Sequence, residues 1–196
     1  MPINDDYLTN SSTITMSYST YSNGYNVNTA LSYINLYWLN SNPIFPKYSS
    51  DCANYISQIL YISGMKEYYK AFWPIVGNII QEDVQNWYMY DDHNIKNPSY
   101  TWTSAAHFFY HWTHYRASSS SASYSLWKIG DPVGCDWEKD GDTDHIIMID
   151  GKTGNTKSTI TYISHTSSRI KEPLTTIYSS KPNAYLRAIP MSTAKN

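Results

Sequence analysis

Charge is scarce in this chain of 196 residues: 14 Lys and Arg and 16 Asp and Glu make up 15% of it, and the formal net charge is −2. With no basic stripe to neutralise a run of phosphates, nucleic acid is not an expected partner. Long apolar runs are missing too. No stretch approaches the roughly 20 apolar residues that cross a bilayer, so no membrane span is expected. Residues 1–21 have neither the basic start nor the apolar centre of an export signal. With 2 cysteines the chain can close at most one internal disulfide. Cys52 and Cys135 sit in such different contexts that two free thiols are expected. Nothing in the sequence calls for a cofactor.

What is abundant is aromatic and hydroxyl-bearing: 20 Tyr and 7 Trp stand among many Ser, Thr and Asn. Such a surface owes its solubility to hydroxyls and amides. It suits a secreted or cell-surface protein that meets sugars or peptides, its export signal lying outside this chain. The length fits one domain with a core of ordinary size, behaving as a monomer.

Residues 1–22 have no helical period and read as an N-terminal arm before a domain at 23–196. From Tyr25 to Leu39, Val27, Ala30, Leu31, Ile34, Tyr37 and Trp38 recur at spacings of three and four, which predicts a helix ending before Asn42-Pro43. A second helix is predicted over Cys52–Ile62, stopped by Gly64. Residues 65–100 read as an irregular, aromatic segment walling a groove. A third helix starts near Thr103 or Ser104 and runs to about Arg116, where the serines Ser118 to Ser121 end it. The last third reads as β: Ile129–Val133 opens it, followed by His145–Asp150, a turn over 151–155, Ser158–His165 and Tyr185–Ile189. Helices first and antiparallel strands second define an α+β domain.

Cys52 stands where the polar turn Ser49-Ser50-Asp51 opens the second helix. The unpaired N–H groups and positive dipole end at a helix start favour the thiolate, the nucleophilic form. His145 opens an apolar, β-branched strand and is the candidate base, so an ion pair with Cys52 is expected. A hairpin centred near residue 155 pairs positions whose numbers sum to about 310, which makes His145 and His165 cross-strand neighbours. Nucleophile, base and a polar group that fixes the base's tautomer are what a thiol peptidase or amidase requires. The N–H of Cys52 and a side chain near Ser49 or Ser50 are candidate oxyanion donors. Asp51 reads as a helix cap or anchor, and Asn54 and Gln58 as binders of the loop entering the helix.

This order, with cysteine on a helix and its partners on adjacent strands, resembles the papain-like cell-wall hydrolases of the NlpC type. Residues Tyr25 to Trp38, Asn42-Pro43, Asp51-Cys52-Ala53-Asn54-Tyr55-Ile56-Ser57-Gln58, Trp102, Gly130-Asp131, Asp144-His145 and His165-Thr166 resemble, in order, the pattern of the bacterial putative amidase domain family. The likeness runs from about residue 25 to 175, and its most specific element is the DCANYISQ stretch. It implies N-terminal helices packed on a C-terminal antiparallel sheet in a papain-like fold. It also implies hydrolysis of an amide bond in a peptide or peptidoglycan-like substrate, with Cys52 as nucleophile and His145 as base. Ser50, Asp51, Trp102 and Asp144 are the matching candidates for substrate contact. Members often follow the second histidine with Asn-Asp-Arg, whereas this chain reads His165-Thr166-Ser167-Ser168-Arg169. That departure leaves His165 as the candidate orienter, with Ser168 standing where an acid would be. A non-catalytic glycan- or peptide-binding module on the same fold, or an amidase acting on a small peptide, are the competing readings.

Three other groups invite chemistry. Asp136, Glu138 and Asp140 start like a calcium loop but lack its closing acid, Ile147 standing at the twelfth position; a solvated acidic turn is expected. His107, His111 and His114 share a helical face at a spacing that can hold zinc. No carboxylate motif accompanies them, so histidines bordering solvent or the groove are expected. Cys135 reads as a packing residue.

Overall fold

The computed structural model describes residues 20–69, 82–89, 98–117 and 119–196. The arm at 1–19, most of the irregular segment and Ser118 lie outside the described residues.

Helix α1 spans Val27–Tyr37 and α2 spans Cys52–Ile62. Asn26 caps α1, its side chain accepting the Thr29 N–H at 3.0 Å, and Val27, Ala30, Tyr33 and Ile34 form the buried face. In α2, every residue from Cys52 to Leu60 is buried, so this helix is the centre of the domain rather than an amphipathic cover. Gly64 ends it with φ of 107°, and the Met65 N–H returns to the Leu60 carbonyl at 3.0 Å. A side chain at Gly64 would meet the Gly24 carbonyl oxygen at 2.5 Å, so only glycine allows the approach.

The predicted third helix is present over 105–116, and a short helix precedes it. Helix α3 (Tyr100–Thr103) is followed by α4 (Ala105–His111), which widens into a π-helical turn over Trp112–Arg116. Arg116 is the buried cation of that turn. Its guanidinium donates to the Lys66 and Lys195 carbonyls and lies over the Trp112, Trp87 and Tyr68 rings.

Strands β1 (Pro132–Asp136), β2 (His145–Lys152), β3 (Ile160–Ser164), β4 (Arg169–Pro173) and β5 (Tyr185–Ala188) form one antiparallel sheet, ordered β4-β3-β2-β1-β5. Strand β4 and the short helix α5 (Thr175–Ser180) lack the hydrophobic alternation that would reveal them; the burial along Arg169–Pro173 is mixed and partial, as befits an edge strand. Strand alternation sends Ile146, Met148 and Ile163 to the core shared with α1 and α2. Val133, Cys135, Ile147, Ile149 and Tyr162 turn to a second core under α5.

The register differs by one from the expected hairpin. Met148 pairs with Ile163 and Ile149 with Tyr162, before a bulge shifts the pairing to Gly151 with Thr161. Extending that ladder sets His165 opposite Ile146 rather than His145. A one-residue slip turns a side chain to the other face.

Candidate active site

The site is built where α2 begins against the ends of β2 and β3. Cys52 is 5% exposed, and backbone N–H groups of Ile146, Ala53 and Cys52 itself face its sulfur. Burial pushes the thiol up from its ordinary value, Asp51 adds to that, and the N–H groups oppose it. The contact with Ile146 puts the sulfur one residue along the chain from His145.

Asp51 is an anchor and not a cap, since its side chain makes no hydrogen bond to the helix N–H groups. Its Oδ1 accepts the Tyr48 N–H at 3.1 Å and the Asn54 Nδ2 at 2.8 Å, while Oδ2 meets His165 Nδ1 at 3.0 Å. The Asp51 N–H donates to Thr166 Oγ1 at 3.0 Å. Thr166 holds φ of 82°, a strained conformation for a β-branched residue, beside the cysteine. Asn54 binds the entering loop through the Pro46 carbonyl at 2.8 Å, as read from the sequence. Gln58 instead accepts the Tyr33 hydroxyl at 2.7 Å and ties α2 to α1.

His165 is not the partner of His145. Its ring stacks on Tyr55 with centroids 3.7 Å apart, and its Nε2 faces the Tyr37 and Trp38 carbonyls at 3.0 and 3.1 Å. Both nitrogens are engaged, so the ring clamps the end of α1 to the start of α2. The group that holds His145 is Ser164, whose Oγ lies 2.7 Å from His145 Nε2. When the Ser164 hydroxyl donates to the His165 carbonyl at 2.9 Å, its oxygen accepts from Nε2–H. That arrangement leaves Nδ1 as the lone-pair nitrogen, and Nδ1 has no hydrogen-bond partner among the described residues. Ser168 is exposed, away from this contact.

His145 also stacks on Trp137, with centroids 5.8 Å apart, and lines a cleft of about 310 Å³ with Tyr162, Ser164, Arg169 and Lys181. Burial lowers its pKa to about 4, with Asp144 in partial opposition. At neutral pH the resting site therefore presents a thiol and a neutral imidazole, not the ion pair anticipated. No hydrogen bond joins Cys52 to His145 among the described residues.

The other candidates divide clearly. Trp102 is fully buried, its indole N–H donating to Asn54 Oδ1 at 3.0 Å, and Asp51 is buried and engaged; neither is open to a substrate. Ser50 and Asp144 are exposed, and Asp144 accepts the Trp137 N–H at 2.8 Å. In the acidic loop, Asp136 accepts the Asp140 and Gly141 N–H groups and Glu138 pairs with Lys181 at 3.2 Å. His111 turns inward to the Val84 carbonyl at 2.8 Å, away from His107 and His114. Among the described residues no group of three or more His, Cys, Asp or Glu side chains could hold a metal ion. Cys52 and Cys135 are both free and buried.

The Gly130-Asp131 element is structural. Gly130 takes φ of 87° and Asp131 accepts the Lys128 and Met191 N–H groups at 2.9 and 3.0 Å. Sequence reasoning missed Ser164 and Trp137; the residue preceding His165 was the available signal for the first.

The described domain is α+β, with a buried thiol at the start of one helix and a histidine, held by a serine, at the start of a strand. The model of one family, described as Putative amidase domain, matches residues 24–188. The chain belongs to that family, and amide hydrolysis is the activity its description denotes. No curated protein and no solved structure matches the chain. No described helix is long and apolar enough to cross a membrane.

Proposed function

We propose that the chain is a cysteine-dependent amide hydrolase of papain-like architecture, with Cys52 as nucleophile, His145 as base and Ser164 as the group that orients the base. The observation that carries this reading is the backbone contact between the Cys52 sulfur and Ile146. It sets the thiol one residue along β2 from His145, whose ring lies on the other face of that strand and whose Nδ1 lone pair has no partner among the described residues. For the reaction, the start of β2 must turn so that this lone pair passes from its cleft to the thiol. Nδ1 takes the thiol proton as sulfur adds to the amide carbonyl carbon. The Cys52 N–H at the helix start steadies the oxyanion. Collapse of the adduct breaks the C–N bond, and His145 passes the proton to the leaving amine. Water, deprotonated by His145, then cleaves the thioester and restores the thiol, releasing a carboxylic acid.

The substrate class is a peptide or the peptide part of a cell-wall polymer, met outside the cell. The low charge and the aromatic, hydroxyl-rich composition support that setting. The test is incubation with peptidoglycan fragments and peptide amides, with products read by mass spectrometry. The reading requires product that disappears in Cys52→Ala and falls about 10²–10⁴-fold in His145→Ala.

One observation favours a binding module instead: Cys52 is 5% exposed and lines neither described cleft, whereas the His145 cleft is open. On that reading fragments bind at His145 and leave intact.

A further inference from the structure

A second cleft, of about 580 Å³, opens between α4 and the loop Gly141–Thr143, with Arg187 of β5 lining it. That volume is in the range of small-ligand sites. Its construction begins with Gly134, which pairs with Arg187 across the β1–β5 ladder. A side chain at Gly134 would lie 2.3 Å from Phe109 Cδ2, so the glycine is what lets the Phe109 ring lie flat on the sheet. On that ring rests the Arg187 guanidinium, 4.5 Å from the centroid, with the Tyr185 ring at 5.4 Å. Strand alternation sends Leu186 and Ala188 into the second core and Arg187 to this opposite side.

The guanidinium is positioned but not satisfied. Its Nε is buried without a hydrogen-bond partner, and no carboxylate lies within ion-pair distance of it among the described residues. A charge-bearing donor left unpaired is costly; Nε itself is covered, and a turn of the Arg187 side chain, which lines the cleft, would bring it to a ligand acceptor there. Among the described residues Arg187 is the one Lys or Arg lining the cleft, and Asp142 stands on its wall. One cation faced by a nearby carboxylate favours a monoanion over a dianionic phosphate. The Phe109 and Tyr110 rings offer surface for an apolar body next to that anion.

We infer that this cleft is a binding site for a carboxylate borne on an apolar or aromatic body, such as the free carboxyl terminus of a peptide, held through a charge-assisted hydrogen bond to Arg187. The site lies outside the Cys52 and His145 constellation and does not depend on its chemistry.

The test is an NMR titration of the full chain with N-acetyl-L-phenylalanine, following the Arg187 Nε–Hε resonance, with N-acetyl-L-phenylalaninamide as the uncharged control. The carboxylate should shift that resonance saturably and bind at least about tenfold more tightly than the amide. Arg187→Gln should remove the preference and Cys52→Ala should leave it intact. Equal binding of acid and amide, a resonance that does not move, or an unchanged preference in a folded Arg187→Gln variant would overturn the proposal. The titration of the unsubstituted protein decides the matter even if that variant fails to fold.

Discussion

The two sides of strand β2 differ in how completely their histidines are satisfied. On the α2 side, Asp51 joins Asn54 to His165, and His165 has an acceptor for each ring nitrogen, although the Tyr55 hydroxyl beneath it is buried without a partner among the described residues. On the other side, His145 lines an open cleft, holds one hydrogen bond to Ser164, and keeps its second nitrogen without a partner among the described residues. Of two histidines on neighbouring strands, the saturated one can only hold the structure, and the half-satisfied one can move a proton. Cys52 belongs by packing to the first side and by its contact with Ile146 to the border between them.

That contrast can be broken residue by residue. The largest effect belongs to Cys52→Ala: the proposed chemistry has no other nucleophile, so amide hydrolysis should fall by at least about 10⁴-fold, with the urea midpoint nearly unchanged. His165→Ala should do the reverse in kind. It strips a partner from the buried Asp51 carboxylate and should cost about 3–5 kcal/mol of folding stability in urea unfolding. An effect under about 1 kcal/mol would show that the network is not what fixes α2.

Gly134→Ala forces the Phe109 ring off the sheet and should cost about 1–3 kcal/mol by thermal unfolding. Ser164→Ala sharpens the comparison at the base itself. It frees the His145 tautomer and should lower kcat about tenfold, near 1.4 kcal/mol, with little change in stability. An unchanged kcat would remove Ser164 from the site.

The remaining effect is a slope with pH. Burial raises Asp131 to about 7, so the folded state favours the protonated acid. An unfolded aspartate titrates near 4, so this group's contribution is fully present below about pH 4 and is lost as pH climbs to about 7. His145 and His111, lowered by burial to about 4 and about 3, act in the opposite sense below about pH 6.5. Comparing urea midpoints of the parent and Asp131→Asn between pH 4 and 8 isolates the Asp131 part, and the variant should lack it.

The α+β order, helices α1 and α2, the Gly64 stop and the Cys52 position were legible because each is a local rule: periodicity, a polar turn, a glycine in a left-handed conformation. Strand β4 and helix α5 were not, since an exposed edge strand such as Arg169–Pro173 carries no alternation to read. The surroundings of His145 were legible to within one residue. His145 was found from its strand, yet its partner depended on a hairpin register that turn residues alone did not fix. A single step exchanged Ser164 for His165. The inward turn of His111, and with it the loss of a three-histidine face, arises from packing against Val84 and Arg116, which no spacing rule contains.

The measurement that bears most directly on the pairing of Cys52 with His145 is the iodoacetamide alkylation rate of Cys52 across pH 3 to 9, read by mass spectrometry beside the buried Cys135 in the parent and in His145→Ala. With His145 as base, labelling should fall away below pH about 4, where its imidazole is protonated, and hold a plateau through neutrality. The variant should lose that plateau by about 10²-fold. A rate that climbs only toward alkaline pH and is the same in both proteins would contradict the assignment.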